Sequence, residues 1–213
     1  MKAVEIPLRI FALILVIAPF DNTLAQGAFQ NGDFESFNGE LLPGHSAILQ
    51  HGDTRVVGWT AIFPSSAQGN QVGYVYRRPD SDSRSFVYFF AFGSPVPVGI
   101  QQTLTTQPHS SYTVQFDLGT YAFNSNAPPM VRVRAGNMSA EFTGLQASGT
   151  LDNRWQRKEF IFTSDGSGQT TLSFEGIQGF GYLDGVVVIP EPPLAMLGWL
   201  GAVAMFVCCK LRR

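Results

Sequence analysis

The chain has 213 residues, enough for one sizeable domain or two small ones, and 14 Lys+Arg against 16 Asp+Glu leave a formal net charge of -2. That balance excludes the basic footprint of a nucleic-acid binder. A charged fraction of 14% beside an aromatic fraction of 13% suits a β-rich exported module better than a charge-laced helical protein.

At the start, Lys2 and Arg9 precede the apolar run Ile10 to Phe20, and Thr23-Leu24-Ala25 supplies small residues before Gln26. This order predicts a cleaved export signal over residues 1–25. The alternative, an uncleaved anchor, asks more of a run that is short for a membrane span.

Residues 26–189 then carry short strands rather than helical periodicity. Phe86 to Phe92 is apolar on both faces, as an interior strand is. Tyr112, Val114, Phe116 and Leu118 alternate with Thr113, Gln115 and Asp117, and Val131 to Ala135 repeats the logic with arginines outward. Thr171 to Glu175 and Leu183 to Ile189 close the series. Turn residues punctuate it at Gly93-Ser94-Pro95, Gln107 to Ser110, Asn124 to Pro129 and Asp165 to Gly168. Many short strands without helical crossovers predict an all-β fold, an antiparallel β-sandwich or jelly roll.

The end, residues 190–213, differs in kind. Leu194 to Cys209 is free of charge, and Lys210, Arg212 and Arg213 follow at once, which predicts a transmembrane helix with its basic tip at the cytoplasmic face. Both cysteines, Cys208 and Cys209, lie in this tail, so the exported part has no disulfide framework and no cysteine nucleophile.

Pro190-Glu191-Pro192, an apolar segment and a closing basic cluster, in that order, resemble the PEP-CTERM sorting tail of Gram-negative bacteria. The resemblance implies an exosortase as processing partner, with Pro190, Glu191 and Pro192 as its recognition residues. It also implies a precursor held at the inner membrane by its tail and a mature protein at the cell surface or in a biofilm matrix. Pro193, the Cys208-Cys209 pair and the short basic cluster depart from the usual pattern. An ordinary C-terminal anchor is the alternative.

A second resemblance covers nearly the whole middle domain. Asn31-Gly32-Asp33-Phe34-Glu35, Gly58-Trp59, Gly99 to Leu104, Ser111 to Gly119, Trp155, Phe160 to Thr163, Leu172 to Phe174 and Leu183 to Val188 follow in an order similar to the galactose-binding-like jelly roll. Carbohydrate-binding modules and a family of plant cell-wall proteins share that fold. The resemblance implies a structural Ca²⁺ between the opening and closing segments, held by Glu35 and Asp184. Ca²⁺ asks for clustered hard oxygens. Equally open is that Glu35 caps a turn and Asp184 pairs with a nearby donor.

Sugar-binding surfaces set aromatic faces beside planar polar groups, and Trp59, Tyr74, Tyr76, Arg77, Arg78 and Tyr121 are the residues of that kind. Trp59 and Trp155 are expected in the core. Tyr74 and Tyr76, two apart on one strand, share a face, and Arg77-Arg78 opens a polar loop running to Ser85. The expected ligand set is therefore Tyr74, Tyr76, Arg77 and Arg78.

No spacing singles out a catalytic pair among Asp33, Glu35, Asp53, Glu141 and Glu175. His45, His51 and Asp53 sit in a Gly-rich loop without a third ligand at helical spacing. These observations predict a non-catalytic polysaccharide-binding or matrix protein. Its rivals are a structural matrix component without a glycan site and a carbohydrate-active enzyme.

Overall fold

The computed structural model describes residues 29–64, 66, 69–78, 84–91, 96–120, 127–146 and 154–191. The expected signal peptide, Tyr121, Pro192 and the apolar, basic-tipped tail lie outside the described residues. No helix among the described residues is long and apolar enough to cross a membrane.

The described residues form ten antiparallel strands: β1 (Ser46–Leu49), β2 (Thr60–Ile62), β3 (Gln71–Arg78), β4 (Arg84–Ala91), β5 (Val98–Thr105), β6 (Ser111–Thr120), β7 (Met130–Ala135), β8 (Met138–Thr143), β9 (Arg154–Thr163) and β10 (Gln169–Pro190). They form two layers that share one strand. Residues Gln169 to Gly176 of β10 pair with β5 and β7, giving the order β2-β5-β10-β7-β8. Residues Gly179 to Pro190 pair with β4 and β6, giving β1-β3-β4-β10-β6-β9. This is an antiparallel β-sandwich of jelly-roll type.

The sequence expectation placed separate strands at Thr171 to Glu175 and Leu183 to Ile189, which the structure joins through Gly176, Gly179 and Gly181 as β10. These glycines mark the corner at which one long strand passes from layer to layer. Gly179 has φ +73, a conformation glycine adopts without the penalty of a Cβ. The register to β7 slips at the same corner, between Gly176 and Gln178.

Between the layers, alternate residues from both sheets form one core. Val87 and Phe89 of β4, Tyr112 to Leu118 of β6 and Phe162 of β9 face Ile100 of β5, Val131 and Val133 of β7, and Phe174 of β10. The contacts are aromatic edges and faces, with Phe116 5.1 Å from Phe174 and 5.2 Å from Phe142. Trp59 is buried here as expected, and its indole N–H donates to the Asn31 carbonyl at 3.1 Å.

The opening and closing segments of the domain meet. The Val186 amide donates to the Gly32 carbonyl at 2.8 Å. Asn31 braces the opening turn, its side-chain amide donating to the carbonyls of Ser36 and Val57 and its oxygen accepting from the Ser36 amide.

Candidate functional site

A sandwich layer has two faces, and only one packs on the core. The other face of the β1-β3-β4-β10-β6-β9 layer departs, over part of its width, from the polar pattern an outward face ordinarily has. It carries a second apolar cluster of Val75, Phe86, Tyr88 and Tyr182, with Trp155 and Phe180 packed against it. The registers explain the gathering. Tyr88 lies opposite Gly73 on one side and Tyr182 on the other; Tyr182 lies opposite Gly119, and Gly119 opposite Trp155. One row across the sheet thus reads Gly73, Tyr88, Tyr182, Gly119, Trp155, with a glycine beside each ring.

The glycines are what let the rings lie down. A Cβ on Gly73 would fall 2.3 Å from Tyr88 Cζ, and one on Gly119 2.8 Å from Trp155 Cε3 and Cζ3. Each ring therefore rests on the backbone of the neighbouring strand. The next row is Gln71, Phe90 and Phe180. Phe180 sits at 5.5 Å from Tyr88 in a nearly parallel stack, and at 5.6 Å from Phe90 and 5.4 Å from Tyr182 edge-on.

Along this face runs a groove of about 310 Å³. Buried Val75, Tyr88 and Tyr182 form its floor and half-buried Phe90 and Phe180 its wall. Gly44, Ser46, Gln71 and Arg78 supply its polar rim. The combination of ring faces with a guanidinium, an amide and a hydroxyl is the chemistry that grips a sugar, whose C–H face stacks while its hydroxyls bond.

Arg78 reaches the groove through an irregularity. Between Val75 and Arg78 the register of β3 against β4 shifts, and Arg77 takes φ +42, the mark of a β-bulge. Without the extra residue Arg78 would share the core side of the strand with Tyr74. With it, Arg78 lies opposite Arg84 on the outer face, and its Nη1 donates to the Tyr182 hydroxyl at 3.1 Å.

The bulge also scatters the expected ligand set. Tyr74 is wholly buried, and its hydroxyl donates to the Phe34 carbonyl at 2.9 Å. Burial pushes its pKa up to about 12. As placed, its ring faces Phe37 at 4.5 Å in the core and presents no face to an external sugar. Tyr76 lines a different depression of about 680 Å³ with Glu35, Phe37 and Leu42, and the Arg77 guanidinium lies 5.1 Å over the Tyr76 ring. Of the four, Arg78 alone lines the aromatic groove. Trp155, expected in the main core, packs instead on the outer face beside Phe86 and Tyr182. Among the described residues its indole nitrogen is the one buried side-chain polar atom without a partner.

At the far side of the rings Arg84 ties the strands together. It reaches Asp117 at 3.1 Å and Asp184 at 3.2 Å, with its guanidinium 5.2 Å over the Trp155 ring. Arg157 adds a contact to Asp117 at 3.3 Å. Burial raises the Asp184 carboxyl to about 6, against the opposing pull of the Gly185 amide and Arg84.

These contacts bear on the implied Ca²⁺. Glu35 accepts from the Ser85 amide at 3.2 Å and from Arg77 Nε at 3.3 Å, so both proposed ligands face cationic or N–H donors. Among the described residues no three His, Cys, Asp or Glu side chains gather as a metal site. The donor set does not fit a calcium cage; backbone and guanidinium groups take its place. His51 and Asp53 are likewise engaged, His51 Nδ1 accepting from the Phe63 amide at 3.2 Å and Asp53 pairing with Arg55 at 2.6 Å. Glu141 pairs with Arg132 at 2.7 Å and Glu175 with Arg134 at 3.1 Å.

Sequence reasoning missed Gln71, Tyr88, Phe90, Phe180 and Tyr182. Their signal was present: a strand with large apolar residues on both faces, and Phe180-Gly181-Tyr182, where two rings two apart share a face.

No known protein family matches the chain, and no curated protein matches it. Solved structures do. A CBM4 module is 19% identical with a TM-score of 0.45, covering 77% of this chain and 100% of its own. A CBM61 module in complex with β-1,4-galactotriose is 18% identical with a TM-score of 0.44, covering 77% and 98%. The CBM22-1 xylan-binding domain of Paenibacillus barcinonensis Xyn10C is 14% identical with a TM-score of 0.43, covering 71% and 97%. All three likenesses are distant.

Proposed function

We propose that this protein is an exported, non-catalytic β-sandwich that binds polysaccharide through the groove on the outer face of the β3-β4-β10 sheet. The observation that carries the reading is the pairing of ring surfaces from Tyr88, Phe90 and Phe180 with the polar rim of Gln71, Ser46 and Arg78 in one concave site. The export signal and the PEP-CTERM-like tail complete it. An exosortase recognises Pro190-Glu191-Pro192 on a membrane-held precursor, and the mature domain then reaches the cell surface or the matrix.

The test is affinity electrophoresis of the full chain against a panel of bacterial exopolysaccharides, cellulose derivatives, xylan and galactan. The wild type is compared with Phe180→Ala and Phe90→Ala. Losing one stacking ring is worth about 1–2 kcal/mol, a fall in affinity of about 5- to 30-fold, with the thermal melt showing that each variant is folded. A folded wild type retained by no polysaccharide would instead make the domain a structural matrix component. Release of reducing ends would make it a carbohydrate-active enzyme.

A further inference from the structure

The last strand does not stop short of the sorting motif; it runs into it. Pro190 is the final residue of β10 and lies opposite Tyr112 of β6. The Glu191 amide donates to the Ser111 carbonyl at 2.9 Å, and the Thr113 hydroxyl donates to the Glu191 carboxylate at Oε1. Thr113 itself is buried, 5% exposed. Two of the three motif residues are thus part of the folded sheet, and the charged one is held at both its backbone and its side chain.

A processing enzyme grips its peptide in extended form, using the backbone donors and acceptors together with the side chains. While it is bonded to the Ser111 carbonyl, the Glu191 amide cannot offer its one N–H to an enzyme, and the bond from Thr113 fixes the carboxylate against the sheet. We propose that recognition of the motif follows release of the β10 end from β6, so that the folded domain gates its own sorting. This rests on the sorting function proposed above.

The gate is a small one. Pro190 has no N–H to give to the ladder, and Ile189 beside it is already 40% exposed. The Glu191 amide and the Thr113 hydroxyl are the ties holding it, and frayed termini open at low cost. Where opening precedes recognition, the processing rate scales with the open fraction.

Thr113→Val keeps the side chain's shape and deletes only the hydroxyl. It is expected to speed conversion of precursor to mature protein about three- to tenfold in cells carrying the sorting enzyme, as loss of one ordinary hydrogen bond at a solvent-exposed strand end implies. Thr113→Ser, which keeps the donor, is expected to return the wild-type rate. Conversion is followed by intact mass after a pulse, and hydrogen exchange of the purified full chain reads the Glu191 amide directly. That amide is expected to be protected in the wild type and faster in Thr113→Val. Equal processing rates for wild type and Thr113→Val would overturn the gate, and so would a Glu191 amide exchanging like a free peptide. A wild-type precursor that is never processed fails differently: it removes the sorting function itself, while the exchange data still report whether the strand end is held.

Discussion

The flat rings of the groove make a prediction about a residue with no side chain. In Gly73→Ala the new Cβ would lie 2.3 Å from Tyr88 Cζ and 2.4 Å from Tyr88 Oη, where non-bonded carbons ordinarily rest at about 3.5–4 Å. The ring must lift by more than about 1 Å. Tyr88 is 8% exposed and stacked 5.5 Å from Phe180, so it has little room, and overpacking of this kind costs about 1–3 kcal/mol. Against this, replacing glycine inside a strand is favourable by about 0.5–1 kcal/mol through the unfolded chain. The clash wins, leaving a net loss of about 0.5–2 kcal/mol. Urea unfolding of the full chain measures it, and affinity electrophoresis shows whether the displaced ring weakens polysaccharide retention. In a Tyr88→Leu background, which lacks the clashing ring atoms, the same Gly73→Ala change is expected to be neutral or stabilising. A cycle with no coupling between positions 73 and 88 would refute the claim that the Tyr88 ring lies on the Gly73 backbone.

Three further outcomes follow from the same structure. Tyr74→Phe removes a buried hydroxyl and leaves the Phe34 carbonyl unpaired, so unfolding free energy is expected to drop by about 1–3 kcal/mol while polysaccharide retention is unchanged; lost retention in a folded variant would return Tyr74 to the binding site. Adding a chelator such as EGTA is expected to leave the thermal midpoint unmoved, because Arg77 and Arg84 face Glu35 and Asp184; a drop of several degrees would restore the calcium clip. Asp184 has a folded pKa of about 6, above its ordinary 3.8 because of burial, so the folded state holds the extra proton between these values and stability falls as pH rises from about 4 to about 6. Conversely, urea unfolding at pH 5 is expected to show about 1–2 kcal/mol more stability than at pH 7, an increment that Asp184→Asn abolishes. Asp53, held low by its hydrogen bond to Arg55, opposes this only once the pH falls below about 4.

What the sequence discloses about this fold depends on how local the determining physics is. The alternation at Tyr112 to Leu118 is a property of neighbouring residues, and it returns as β6 with those four side chains in the core. The long β10 is harder, since Gly176, Gly179 and Gly181, residues that can end a strand, here carry one through a corner, and only the pairing of both halves with different partners tells the cases apart. Phe86 to Phe92 read as a strand with two apolar faces, and such a strand can be explained by burial on both sides. What distinguishes a second core from a ligand surface is which strands lie beside it, and that is set by residues 90 to 94 positions away, Phe180 opposite Phe90 and Tyr182 opposite Tyr88.

The expected ligand set is spread over different surfaces for a related reason. Strict alternation from Tyr74 places Tyr76 and Arg78 on its face, and nothing in Tyr-Val-Tyr-Arg-Arg announces a bulge; a non-glycine at φ +42 is disfavoured locally and persists only where its surroundings over-determine it. Here they do so: the Arg77 amide donates to Ser85 Oγ at 3.2 Å and its guanidinium reaches Glu35, which in turn accepts from the Ser85 amide. The three residues close a loop of hydrogen bonds around the extra position. Glu35, read from sequence as a calcium ligand, thus acts on the groove at a distance, holding the bulge that turns Arg78 outward to Tyr182. The carboxylate at the opening of the domain and the arginine on the grooved face are joined through one hydrogen-bonded bulge, and neither placement is visible until the strand between them has folded.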